Sequence, residues 1–308
     1  MTSGMIEPMP QSRRSFLRSA AAAAVLGPEI LLARPRAAQM DRIGMTTVVF
    51  RFRFAQTRPR DYTGTEPMLT LLEVPEYFAD RFGIHNVEFW SRHFASLEGA
   101  YLAELKAALA RTGSRLINIQ VDETYNLADA DEAKRMEGVA LVKRWVDAAL
   151  QVGAKSIRAN PGSGDVAAAV RSLREIVDYA GPKGMVVLVE NHGGISQNPE
   201  VLLTILDAIP SGNFGGLTDF GNFDSEVARY EALARLAPRS WLVSAKTQLF
   251  DGDGNHVSFD FDRCVRTCEA AGFKGIYSAE QWDPSTSPRD FEKIADWMIE
   301  HIAANLNT

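Results

Sequence analysis

The sequence predicts an α/β fold, a (β/α)8 TIM barrel built as a single domain. Three observations lead to it. Eight short apolar runs recur at intervals of roughly 30–40 residues, room for one strand, one helix and two turns. The segments between them carry helical periodicity. The runs themselves are almost continuously apolar, as expected of parallel strands covered by helices rather than half-exposed ones.

The strand candidates are 43–50, 86–90, 116–121, 156–160, 186–190, 214–219, 241–246 and 275–280. Residues 51–71, rich in Arg, Thr and Pro, read as a long loop after the first strand that covers the mouth of the barrel. The segment 97–110 places Leu102, Leu105, Ala108 and Leu109 on one helical face, and 132–152 and 166–179 behave alike, with charges opposite. Gly113, Gly153, Gly181 and Gly272 each follow a helix and precede a strand, which marks them as helix stops. An open doubly wound sheet is the rival architecture, but no glycine-rich phosphate loop follows the first strand. No internal repeat, charge block or low-complexity linker divides 39–308.

Composition narrows the function. The 308 residues include 46% hydrophobic ones, enough for a large core, and carry a formal net charge of −6. Phosphate binding normally shows a basic face, so nucleic acid is an improbable partner. Two cysteines, Cys264 and Cys268, fall one turn apart on a helix, poor geometry for a disulfide and too few ligands for structural zinc.

The N-terminus reads separately. Ser12-Arg13-Arg14-Ser15-Phe16-Leu17-Arg18 precedes an alanine-rich apolar stretch, then Arg34-Pro35-Arg36-Ala37-Ala38. This resembles a twin-arginine export signal. Cleavage is expected near Ala38, leaving 1–38 as signal and 39–308 as barrel, exported or periplasmic. The apolar stretch falls short of the roughly 20 residues of a membrane span, so no stable anchor is expected after cleavage.

In a barrel of this type the site lies at the C-terminal ends of the strands. Those ends are unusually polar. They supply Glu88 and Trp90, Gln120 and Asp122, Arg158 and Asn160, Glu190 and His192, Asp219 and Asn222, Lys246 and Gln248, and Glu280. Grouped carboxylates repel one another, and a hard divalent cation is the simplest remedy. Asp251-Gly252-Asp253-Gly254-Asn255 looks like part of a calcium loop but lacks the distal glutamate, so it reads as a turn.

Val189-Glu190-Asn191-His192-Gly193-Gly194, Leu217-Thr218-Asp219-Phe220-Gly221-Asn222-Phe223, Val243-Ser244-Ala245-Lys246-Thr247-Gln248 and Ala279-Glu280 together resemble the xylose isomerase-like superfamily, within it the sugar phosphate isomerase/epimerase-type proteins. The resemblance implies a divalent ion, manganese before magnesium or cobalt, held by two glutamates, an aspartate and a histidine. Glu190, Asp219 and Glu280 match the carboxylates. Where relatives carry the histidine, this chain has Ser244 or, two residues after Lys246, Gln248; Gln248 is the preferred fourth ligand. Asn222 stands where several relatives have another histidine. The resemblance also implies a substrate pocket framed by Glu88, Trp90, Arg158, Asn222, His192 and Lys246, and it leaves room for a homo-oligomer of unfixed order. The DNA-repair branch needs more histidines than the five of this chain.

The expected chemistry is removal of a proton next to a carbonyl, with an enediolate stabilised by the ion and Glu190 and Glu280 as proton carriers. The expected substrate is a small, non-phosphorylated sugar or keto-sugar. A lyase or hydratase acting on an oxidised glycoside is the near rival. A non-catalytic carbohydrate-binding barrel is the rival from another class.

Overall fold

The computed structural model describes Pro35 and residues 37–307, apart from 224–225 and 286. The twin-arginine motif lies outside the described residues. The described residues belong to one compact unit.

Eight parallel strands close into a barrel in sequence order: β1 Ile43–Thr46, β2 Asn86–Trp90, β3 Arg115–Val121, β4 Ser156–Ala159, β5 Val186–Glu190, β6 Phe214–Asp219, β7 Ser240–Thr247 and β8 Ile276–Gln281. Ile43 pairs with Tyr277, and so the last strand returns to the first. The helices are α1 Ala37–Met40, α2 Val74–Phe82, α3 Gly99–Arg111, α4 Glu132–Val152, α5 Val166–Ala180, α6 Pro199–Ala208, α7 Glu226–Leu236, α8 Phe261–Ala270 and α9 Phe291–Asn305. Side chains of Asp131, Asp165, Asn198, Asp260 and Asp290 accept backbone N–H groups at the starts of α4, α5, α6, α8 and α9. Each thereby satisfies donors that a helix start leaves open. None of the described helices is long and apolar enough to cross a membrane.

Two expectations need correction. The first strand stops at Thr46 rather than at residue 50, because the Thr46 hydroxyl accepts the Val48 N–H and turns the chain into a 3-10 segment, Thr47–Arg53. Its apolar residues serve helix packing: Phe50 meets Phe78 and Phe82 of α2. An apolar run looks alike in either role. Gly181 is not a left-handed helix stop. Its φ of −58° continues the helical conformation, and the reversal comes at Gly184, φ 76°.

The barrel interior is graded. Ile117, Val186, Leu188, Leu217 and Leu242 form an inner apolar cluster, with Ile276 against it. Because side chains alternate along a strand, the next inward positions toward the C-terminal ends of β5 to β8 are Glu190, Asp219, Ser244 with Lys246, and Ser278 with Glu280. The larger core lies outside, between strands and helices, and takes in Cys264 and Cys268 of α8, both buried and unbonded.

Candidate active site

A cavity of about 540 Å³ opens at the C-terminal ends of the strands. Trp90, Arg158, Glu190, His192, Asn222, Lys246, Gln248 and Glu280 line it, so most of the residues expected at the site do meet. Strand register explains the closeness: Lys246 of β7 stands beside Glu280 of β8, and Asp219 of β6 beside Ser244 of β7.

Two buried cations organise the carboxylates. Arg158 pairs through its Nη1 with Asp122 at 2.8 Å and lies with its Nε 3.2 Å from Glu190 Oε2. Lys246 Nζ lies 3.0 Å from Glu280 Oε1 and 3.5 Å from Asp219 Oδ2. Asn222 links the two halves, donating to Glu190 Oε1 at 3.1 Å and accepting from Lys246 Nζ at 3.2 Å. The far oxygen of Glu280 accepts from Gln120 at 2.9 Å and from Ser244 at 3.3 Å.

These contacts set the proton affinities. Burial pushes Glu190 up to about 7, against the pull of Arg158 and Lys246. Asp219 is likewise raised to about 7 by burial, opposed by Lys246. Burial acts on Glu280 too, but Lys246 and the Gln120 hydrogen bond hold it below the usual carboxylate range. Asp122 also resists burial and drops to about 2 beside Arg158. Burial, with Arg158 and Lys246 nearby, lowers His192 to about 4, which keeps its ring neutral.

Three expected residues do not line the cavity: Asp219, Glu88 and Asn160, whose amide oxygen accepts the Glu190 backbone N–H at 3.1 Å. Asp219 is fully buried; its backbone is latched to Asn191, whose amide accepts the Asp219 N–H at 2.7 Å and donates to its carbonyl at 3.0 Å. Glu88 sits inside the barrel, accepting from Asn118 at 2.7 Å and Ser278 at 2.5 Å, and burial lifts it to about 7. It is therefore an internal polar strut rather than a substrate contact. His93 is also away from the cavity, between Thr47 and Thr57. The turn at 251–255 is a turn, as expected: Asp251 accepts the Asp253 and Asn255 N–H groups itself.

Other lining residues had no assigned role in the sequence. Gln120 and Asp122 were visible only as polar strand ends. Trp282 follows β8, is 42% exposed, and stands at 89° to Trp90 with centroids 6.2 Å apart. Trp90 donates its indole N–H to Asp122 at 2.7 Å. The signal for Trp282 was its place two residues after Glu280, in the loop that rims a barrel site. The loop after β5 is fixed by Gly194, φ 80°, where a Cβ would collide with the Gly162 carbonyl oxygen.

The divalent ion implied by the resemblance can be tested against this donor set. Among the described residues, no three histidine, cysteine or carboxylate side chains converge as a cage for an ion. Lys246 already stands between Asp219 and Glu280. Glu190 Oε2 and Asp219 Oδ2 lack aligned hydrogen bonds, yet each faces a cation, Arg158 and Lys246 respectively. Gln248 donates its amide to the Gly221 carbonyl at 2.9 Å and bonds to none of the three carboxylates. The residues as arranged do not fit the ion.

A model of the xylose isomerase-like TIM barrel matches residues 77–301. No curated protein matches the chain. Solved structures with the same fold include a D-allulose 3-epimerase from Methylomonas sp., 16% identical with a TM-score of 0.66, covering 86% of this chain and 98% of that one. A 3-keto-D-glucoside 4-epimerase from E. coli is 17% identical, TM-score 0.62, over 83% and 98%. A probable 3-DHS dehydratase from Bacillus anthracis is 15% identical, TM-score 0.58, over 85% and 97%.

Proposed function

Because the chain belongs to the xylose isomerase-like TIM barrel family, we propose that it is an isomerase or epimerase of a non-phosphorylated sugar or keto-sugar, working by proton transfer next to a carbonyl. The observation that carries this reading is a pair of buried glutamates, Glu190 and Glu280, lining one cavity and each ion-paired to its own cation. A cavity of about 540 Å³ is within the usual size for small-molecule sites. Sugar epimerases among the solved structures of the same fold support the substrate class.

In this reading Glu280, held ionised, takes the carbon-bound proton. Its charge is then neutralised, and Lys246 loses that partner. The ammonium is free to face the enediolate oxygen that forms at the same moment, with Arg158 nearby. Preplaced charge of this kind needs no reorganisation in a dry site. Glu190, raised to about 7, is partly protonated near neutral pH and returns a proton from its own side. Neutral His192 and the Asn222 amide offer hydrogen bonds that place the substrate.

One observation favours a second reading. A partly protonated Glu190 can equally hand its proton to a leaving hydroxyl or alkoxide, which makes the site a lyase or hydratase of an oxidised glycoside. We also propose export through the twin-arginine route, on the Arg13-Arg14 motif alone.

Solvent deuterium separates the readings. The protein is expected to exchange a carbon-bound proton of one member of a panel of free and 3-oxidised sugars, and Glu280→Gln to slow exchange by roughly 10²–10⁴-fold. Exchange accompanied by loss of water or aglycone points to the lyase. No exchange in any sugar that binds would leave a carbohydrate-binding barrel.

A further inference from the structure

We infer that Lys246 is the resident cation of this site, and that its carboxylates are held together without a divalent ion. An ammonium has three N–H donors and no acceptor. Three oxygens surround that of Lys246: Glu280 Oε1 at 3.0 Å, Asn222 Oδ1 at 3.2 Å and Asp219 Oδ2 at 3.5 Å. They come from β8, from the loop after β6 and from β6 itself, so the nitrogen stands where side chains from different strands meet. An ion bound by the same carboxylates would have to displace it.

The neighbouring positions agree. Ser244, two residues back on β7, turns its hydroxyl to Glu280 Oε2 at 3.3 Å. A serine hydroxyl is a far weaker ligand than imidazole for a transition-metal ion. Asn222 points its amide nitrogen, a donor and therefore no ligand, at Glu190 Oε1. Glu190 has its own counter-charge in Arg158. Two covalently attached cations thus serve the three carboxylates, Arg158 facing Glu190 and Lys246 shared by Asp219 and Glu280. The inference concerns what neutralises the site and stands whether the chemistry is isomerase, lyase or mere binding.

Metal content and thermal stability test it without a substrate. The full chain, purified without chelator, is expected to carry far less than one manganese, magnesium, cobalt or zinc ion per chain, with an unfolding temperature unmoved by millimolar MnCl2 or by EDTA. Lys246→Met and the double variant S244H/K246M vacate the nitrogen's place. In them Mn2+ is expected to bind at about one ion per chain and raise Tm by about 5 °C or more. A wild-type protein that carries near-stoichiometric metal, or whose Tm rises with added Mn2+, overturns the inference. So do folded variants that gain no Mn2+ binding, since the ammonium would then not occupy an ion's place. If neither variant folds, the wild-type measurements decide. Deuterium exchange, which tests the reaction, can fail or succeed independently of all these readouts.

Discussion

At the scale of single residues, the site is defined by which carboxylates tolerate their burial. Glu190 illustrates the cost. Its folded value near 7 exceeds the ordinary 4.5, so the folded state holds the proton more tightly than the unfolded chain. Its contribution to stability is therefore fully present below about 4.5 and is lost as pH rises through about 7. Glu190→Gln, which keeps the shape and drops the charge, is expected to raise Tm relative to wild type at pH 8 and to leave it nearly unchanged at pH 4.5. A variant less stable than wild type at pH 8 would show that the Arg158 pairing outweighs desolvation. The sequence made the participants legible because polar residues at the ends of apolar strands stand out. What it hid was their pairing: the choice between Gln248 and Ser244 as a ligand turned on where the Lys246 side chain lies, and no spacing rule contains that.

Elements were legible to the degree that their pattern has a single cause. α4 was read to the residue, since Asp131 caps one end and left-handed Gly153 the other. The first strand ends short of its apolar run, because Phe50 is apolar for the sake of packing on α2. His93 shows how that 3-10 segment is tied down. Thr57 donates to the Arg51 carbonyl, so its hydroxyl accepts from His93 Nε2 at 2.9 Å, while His93 Nδ1 accepts from Thr47 at 2.9 Å. The ring also stacks on Phe54 at 3.8 Å. It is satisfied as the neutral tautomer, and burial lowers it to about 3. The unfolded chain takes up this proton below about 6.5 and the folded one does not, so stability falls as pH drops from about 6.5 toward 3. His93→Gln is expected to lose less Tm between pH 7 and pH 4 than wild type loses. An unchanged difference would place the acid sensitivity elsewhere.

For the whole molecule, the barrel closes on itself, its last strand pairing with its first. A cut after Ala38 would spare the bond from Gln39 to the Ala303 carbonyl, which ties the start of the barrel to α9. The cut takes only the first half of α1, which buries no residue, and the Ala37 carbonyl that accepts the Asp41 N–H, so removal of 1–38 is expected to leave the unfolding temperature within about 1–2 °C of the full chain, as for a surface change. Replacement of Arg13 and Arg14 by lysine is expected to keep the folded protein inside the cell, read by fractionation. The perpendicular tryptophans at the cavity mouth carry a further consequence. Trp282 is half in water, Arg51 lies 4.7 Å above it, and Trp90 beside it is almost dry. A sugar ring settling there would strip water from one indole and not the other. The protein thus has a built-in optical reporter: a blue shift in its emission would register any ligand at the mouth, and unlabelled compounds could be sorted by titration before a reaction is known.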